Sequence, residues 1–253
     1  MTTDAIDHIS DINTSLKKLS KKPTTRVVFD EFMPATNYVD AVRYIHGASF
    51  IMGEILDSMY VSLYSVAEYL ARTTEYLNAL GNDVDIWEVG NEINGEWLGT
   101  TADVVAKMSG AYDLVKARNK TTELTLYYNQ DCWENPANEM FTWAQANVPA
   151  RMKTGLDYVL VSFYDEDCPG VYPNWNQTFQ QLGNLFPNSK IGFGEVGSSG
   201  TTAQKEALIR KYYSLYVSHP RYVGGYFWWY FKQDMVPYTK YLWSVLNSTI
   251  SSN

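Results

Sequence analysis

The sequence predicts an α/β fold, a (β/α)8 TIM barrel with an irregular or missing first strand, and three observations predict it. Short β-branched or aromatic runs alternate with amphipathic stretches along the whole chain, the pattern of a parallel sheet covered by helices. No linker, low-complexity stretch or composition break divides the 253 residues, so 1–253 reads as a single barrel domain. That length suits one barrel of this type, typically about 250 residues.

The chain opens on a helical repeat at 4–22, where Ile6, Ile9, Ile12, Leu16 and Leu19 form one apolar stripe and Pro23 closes it. Strands are expected at 26–32, 50–57, 84–90, 123–129, 157–164, 190–196 and 223–230. Each is short, apolar and bounded by polar or turn residues, as strands buried on both faces should be. Helices follow at 63–80, with Gly81 as its stop, from Thr101 onward with Thr101 as N-cap, and at 136–146, 175–186, 202–218 and 238–250. This gives seven strands where a barrel needs eight. Either the first strand is irregular, or it lies upstream.

Composition narrows the partners. A net charge of −8 argues against nucleic acid, and the basic group Lys17, Lys18, Lys21 and Lys22 reads as a helix end. No apolar run approaches the roughly 20 residues that span a bilayer, so no membrane insertion is expected. The start Met1-Thr2-Thr3-Asp4 is polar and acidic, unlike a signal peptide, although a signal already removed leaves the same start. Aromatic residues make up 15%, with 20 tyrosines and 8 tryptophans, a share that suits stacking on sugar faces as well as core filling. Cys132 and Cys168 follow adjacent strand ends and form either a disulfide between two loops or two free thiols. No cofactor or metal is expected, and the protein is expected to be a monomer.

In a parallel barrel the chemistry sits at the carboxyl ends of the strands. There the sequence places Asn91 and Glu92, in WEVGNE at 87–92, and Glu195, in GFGEVG at 192–197. Two carboxylates at two strand ends can cleave a glycosidic bond, one protonated to donate to the leaving oxygen and one ionised to attack. Their spacing of 195 − 92 = 103 residues is about three βα units and places them on opposite walls of the mouth. Asp30 with Glu31, Glu54 with Asp57, and Asn129 with Asp131 and Trp133 also follow strand ends and either line the cleft or bond the barrel rim. Glu88 lies inside its strand and needs a buried partner if it points inward. Asp165-Glu166-Asp167 reads as a solvated loop rather than a calcium site.

These segments, with GGYFWWY at 224–230, resemble clan A of the glycoside hydrolases in order and spacing from about Arg26 to Trp229. The resemblance implies a (β/α)8 barrel that hydrolyses β-linked glycans with retention. It makes Glu92 the acid/base, Glu195 the nucleophile, Asn91 a partner of the sugar 2-hydroxyl and Tyr164 a contact of the nucleophile. Trp228 or Trp229 would floor the −1 subsite, and Trp228 is slightly favoured, since alternation lets only one point inward. The chain departs from the clan pattern where Ile93 replaces a common proline and Ser162 a common histidine. Arg26 begins its expected strand, so it is not expected to act as the second-strand arginine of some families. Trp97, Trp133 and Trp175 could extend the cleft, which favours endo-action on a polysaccharide and a secreted or periplasmic enzyme. Two alternatives are a carbohydrate-binding barrel without catalysis and a metal-dependent lyase or aldolase.

Overall fold

The computed structural model of the protein describes residues 1–252. Seven parallel strands lie in sequence order: β1 (Thr2–Thr3), β2 (Thr24–Val28), β3 (Phe50–Glu54), β4 (Ile86–Glu88), β5 (Thr121–Tyr127), β6 (Tyr158–Ser162) and β7 (Lys190–Glu195). Ten α-helices cover them: α1 (Ile9–Lys17), α2 (Val39–His46), α3 (Val66–Leu80), α4 (Thr101–Lys116), α5 (Met140–Asn147), α6 (Ala150–Gly155), α7 (Trp175–Leu185), α8 (Thr202–Tyr213), α9 (Phe231–Met235) and α10 (Tyr241–Ser251).

The first strand is the two-residue β1, ahead of the opening helix. Thr2 and Thr3 pair in parallel with Arg26 and Val27. On its other side, Thr2 donates from its backbone N to Trp228 O (3.3 Å) and from Oγ1 to Phe227 O (3.2 Å). The eighth segment, expected as a strand at 223–230, meets β7 only through the isolated bridges Ile191–Tyr222 and Val196–Trp228. Between those bridges Gly224, Gly225 and Tyr226 all have positive φ (76°, 89° and 70°), which interrupts any regular ladder.

Alternation along the strands sorts side chains into two environments. Val27, Ile51, Trp87, Leu124, Leu126, Val159, Val161 and Phe193 face the helices and are completely buried. Trp175 joins this outer core, ringed by Phe163, Phe179 and Phe193 at centroid distances of 5.3, 5.9 and 4.6 Å. It is therefore a core residue and no sugar platform. Facing inward, Met52, Leu160 and Phe227, with Ile86, form a small apolar floor. Beneath that floor, at the amino ends of the strands, opens a cavity of about 690 Å³.

Above the floor the interior turns charged, and the rim above it is tied down by Arg72 of α3. Its guanidinium is buried and donates to four loop carbonyls: Ile55 O (2.8 Å), Met33 O (3.1 Å), Phe29 O (2.8 Å) and Asp30 O (2.8 Å). One cation thus satisfies the backbone of the loops after β2 and β3, which would otherwise carry orphaned carbonyls. The helix beginning below that rim is fixed by a capping box between Ser65 and Glu68.

Candidate active site

The charged interior is built around Arg26. It sits in mid-β2 and is wholly buried, and its long side chain delivers the guanidinium to the carboxyl end of the barrel. Nε and Nη2 donate to the two oxygens of Glu88, both at 2.6 Å, a paired geometry that suits a guanidinium and a carboxylate. Nη1 donates to Glu195 Oε1 at 2.5 Å. Glu54 Oε2 lies 3.2 Å from Nε without a hydrogen bond. The expectation that Arg26 stands too early in its strand to matter is corrected here, because side-chain length makes up for its position. A cation in an otherwise uncharged strand was the available signal, since a buried charge requires partners. Glu88 has the buried partner that its inward position demanded.

Glu195, at the end of β7, accepts three hydrogen bonds. Arg26 and Asn91 Nδ2 (2.9 Å) donate to Oε1, and the Tyr164 hydroxyl donates to Oε2 at 2.8 Å. Three donors, one of them a cation, thus converge on this carboxyl. A bulge between Val161 and Ser162 brings Ser162 opposite Glu195, displacing the glutamate from the regular register. Burial and the adjoining carboxylates push the Tyr164 hydroxyl well above its usual range, so it remains a donor.

Asn91 links the two candidate glutamates. Its amide donates to Glu195 Oε1 and to Glu88 Oε1 (3.1 Å), while its oxygen accepts from Ser58 N at 2.8 Å. The next residue, Glu92, turns the chain with φ 47°, a left-handed conformation uncommon outside glycine. Its carboxyl is gripped from two sides: Ser58 Oγ donates to Oε2 at 2.8 Å and Ser162 Oγ to Oε1 at 2.5 Å. Burial, and next the charge of Glu195, push Glu92 up to about 8, against the opposing pull of the two serine hydroxyls. Burial thus favours the protonated form of Glu92 at neutral pH. Ser162, where a histidine is common in the resembling clan, makes direct contact with this carboxyl. Ser58 was not legible in the sequence, because a loop serine carries no pattern.

Glu54 and Glu123 complete the cluster below. Burial raises both well above the usual carboxylate range, with Glu88 adding to the effect and Arg26 opposing it. Asp57 follows β3 and is raised to about 6, mainly by burial.

The aromatic walls divide cleanly. Phe227 points into the barrel floor, so Trp228 points outward: it is fully buried and its Nε1 donates to Asp234 Oδ2 at 2.9 Å. Trp229 points inward again, with the Arg26 guanidinium 5.6 Å from its ring centre. Of the two tryptophans, Trp229 stands in the site, contrary to the slight preference for Trp228. Trp97, half-exposed, packs edge-on against Tyr127 (5.5 Å), and its Nε1 donates to Ser58 Oγ at 3.1 Å.

Other expected residues lie outside this network. Asp30 accepts from the Tyr38 hydroxyl (2.7 Å) on the helix side of the loop, so it is a rim bond rather than a cleft residue. Asn129 is buried, and its amide bonds Asn138 O (3.0 Å) and Met140 N (3.1 Å), pinning the loop after β5. Trp133 is half-buried beside Cys132, in the loop that the Cys132–Cys168 disulfide ties to the loop after β6, with Cα atoms 5.7 Å apart. In the acidic run, Asp165 pairs with Lys211 and Glu166 accepts from Ser198 and Ser199. Among the described residues, no three His, Cys, Asp or Glu side chains are grouped to hold a metal ion, and no helix is long and apolar enough to cross a membrane.

Comparison with known proteins gives a likeness of fold. No protein-family model matches the sequence, and no curated protein matches it. Among solved structures, the chain is similar to PbGH5A, a glycoside hydrolase family 5 enzyme from Prevotella bryantii B14, with a TM-score of 0.64 and 14% identity over 96% of this chain and 85% of that one. It is also similar to a plant β-glucan endohydrolase (0.57 and 15%, over 90% and 88%) and to the β-glucosidase 1317 (0.55 and 12%, over 79% and 70%). The fold is therefore one on which glycoside hydrolases of clan A are built.

Proposed function

We propose that the protein is a retaining glycoside hydrolase acting on a β-linked poly- or oligosaccharide, with Glu92 as acid/base and Glu195 as nucleophile. The observation that carries this reading is the contact of Asn91 with Glu195, which locks the Asn91–Glu92 pair of β4 onto the carboxylate of β7. One carboxyl of the pair is pushed toward its protonated form and the other meets a guanidinium and two further donors, the division of labour that double displacement needs.

In the first step Glu195 attacks the anomeric carbon while the bond to the leaving oxygen breaks, and Glu92 gives that oxygen its proton. A glycosyl ester on Glu195 results. The charge of Glu195 is the second cause of the raised affinity of Glu92 for its proton. Esterification removes that charge, so Glu92 becomes a weaker acid-holder at the moment it must act as base. It then takes a proton from water, the water attacks the anomeric carbon, and Glu195 is released as carboxylate. Arg26, Asn91 and Tyr164 orient the nucleophile, and Trp229 offers a ring to the sugar bound there. Endo-action is supported by the aromatic rim, and the disulfide suits an oxidising, extracytoplasmic compartment.

The test is hydrolysis of an aryl β-glycoside. Glu92→Gln and Glu195→Gln should each lower turnover by roughly 10²–10⁴-fold or more, and azide should restore turnover to Glu92→Ala on an activated substrate, giving a glycosyl azide of retained configuration. Undiminished activity in either Gln variant would overturn the assignment. Tight oligosaccharide binding by a wild-type protein that cleaves nothing would make it a binding barrel instead.

A further inference from the structure

Phe32 presents an unusual combination. It is a bulky residue held at φ 57°, in the left-handed region, yet its side chain is 68% exposed. Its ring is stacked on Tyr64 (centroids 5.2 Å, planes 13° apart), so one face is covered and the other is open to solvent. A conformation of this kind costs about 1–3 kcal/mol and persists only where its surroundings fix it. Here they do: Phe32 N donates to the Tyr64 hydroxyl at 2.6 Å, Arg72 grips the carbonyls of Asp30 and Met33 on either side, and the Tyr76 hydroxyl donates to Met33 O at 2.9 Å.

The ring does not stand alone. Six of the twelve exposed large apolar side chains among the described residues lie on three consecutive strand-end loops: Phe32, Met33, Met59, Tyr60, Leu63 and Trp97. Contacts join those loops into one ridge. Phe32 meets Tyr64 at one end of the 3₁₀ turn Ser58–Leu63, and at its other end Ser58 bonds both Trp97 and Glu92. Apolar surface concentrated in this way marks a binding surface.

We infer that this ridge is a second binding platform, on which the distal sugars of a β-linked chain lie while its scissile bond sits at Glu92 and Glu195. A glycan is the occupant because the turn that carries Met59, Tyr60 and Leu63 begins at Ser58, whose hydroxyl bonds the proposed acid carboxyl, so the ridge borders that site. Planar rings held open on one face suit the flat faces of pyranose sugars, and their fixed geometry removes the ordering cost on binding. The inference rests on the glycosidase reading.

The experiment uses the Glu195→Gln protein, to prevent turnover, and calorimetry with β-linked gluco-, manno- and xylo-oligosaccharides. For the series that binds, the hexasaccharide should bind more tightly than the disaccharide. Adding Phe32→Ala should weaken the hexasaccharide by roughly five-fold, the size of one lost ring contact, and leave the disaccharide within about two-fold. Phe32→Tyr should restore the wild-type length dependence, which a folding defect would not allow. Equal affinity for both lengths, or an equal loss at both lengths in Phe32→Ala, would overturn the platform. If no saccharide of any length binds, the glycosidase reading itself fails.

Discussion

Ser58 Oγ accepts the Trp97 indole N–H and donates to Glu92 Oε2. A hydroxyl has one proton to give. With that proton committed to Oε2, and Ser162 Oγ donating to Oε1, both serine hydroxyls act as donors to this carboxyl. The hydroxyl of Ser58 favours the ionised carboxyl, so its removal should raise the affinity of Glu92 for its proton still further. With Glu92 as the proposed acid, which must be protonated, activity should hold below about 8 and be lost as pH rises through that value. In Ser58→Ala the alkaline limb of kcat/KM should therefore move to higher pH, with kcat/KM lowered roughly ten-fold. A limb that does not move would remove Ser58 from any role at the acid. Glu92 and Glu195 were legible in the sequence because a carboxylate directly after an apolar strand has few structural reasons to be there. Arg26 was not, since position along a strand says little about where a long side chain ends. Nor was Ser58, whose importance comes from which residues fold against it.

At the scale of elements, legibility followed length. The five-residue strands β2 and β3 and the longer β5 and β7 show apolar runs long enough to carry a period. The two threonines of β1 cannot, and they become a strand only because Arg26 and Trp228 offer backbone partners on both sides. The run at 223–230 has strand composition, but Gly224 and Gly225 admit a backbone that leaves the ladder and returns to it at Trp228. Short helices were missed for the same reason: α2, α6 and α9 have eight, six and five residues, too few turns for a stripe to stand out. The helix expected from 136 divides instead into a 3₁₀ turn at Pro136–Asn138 and α5. The pair Cys132 and Cys168 was left open between bond and thiols, and the adjacency of β5 and β6 brings them together.

Over the whole molecule, the interior places four glutamates, at 54, 88, 123 and 195, around or near a single guanidinium. They cannot all be ionised. Glu123, with Oε2 buried and unbonded, and Glu54 hold protons more tightly folded than unfolded. For such groups the stabilising contribution is complete below the ordinary value of 4.5 and declines as pH rises above it. Glu123→Gln, neutral at every pH, should flatten the decline of thermal stability as pH rises above about 4.5, by at most about 1.4 kcal/mol per pH unit. Parallel declines in variant and wild type would show that Glu123 ionises as it does in the unfolded chain. The way the barrel closes has a mechanical consequence as well. Two residues of β1 and two isolated bridges make a clasp, while the other six strands form a continuous band. Trp229 rides on one jaw of that clasp, and Arg26, on the strand next to β1, marks the other. If the jaws part, Trp229 leaves the Arg26 guanidinium with the band still intact. Heating should then stop hydrolysis several degrees before circular dichroism records melting, and coincident curves would show that the clasp holds as firmly as the band.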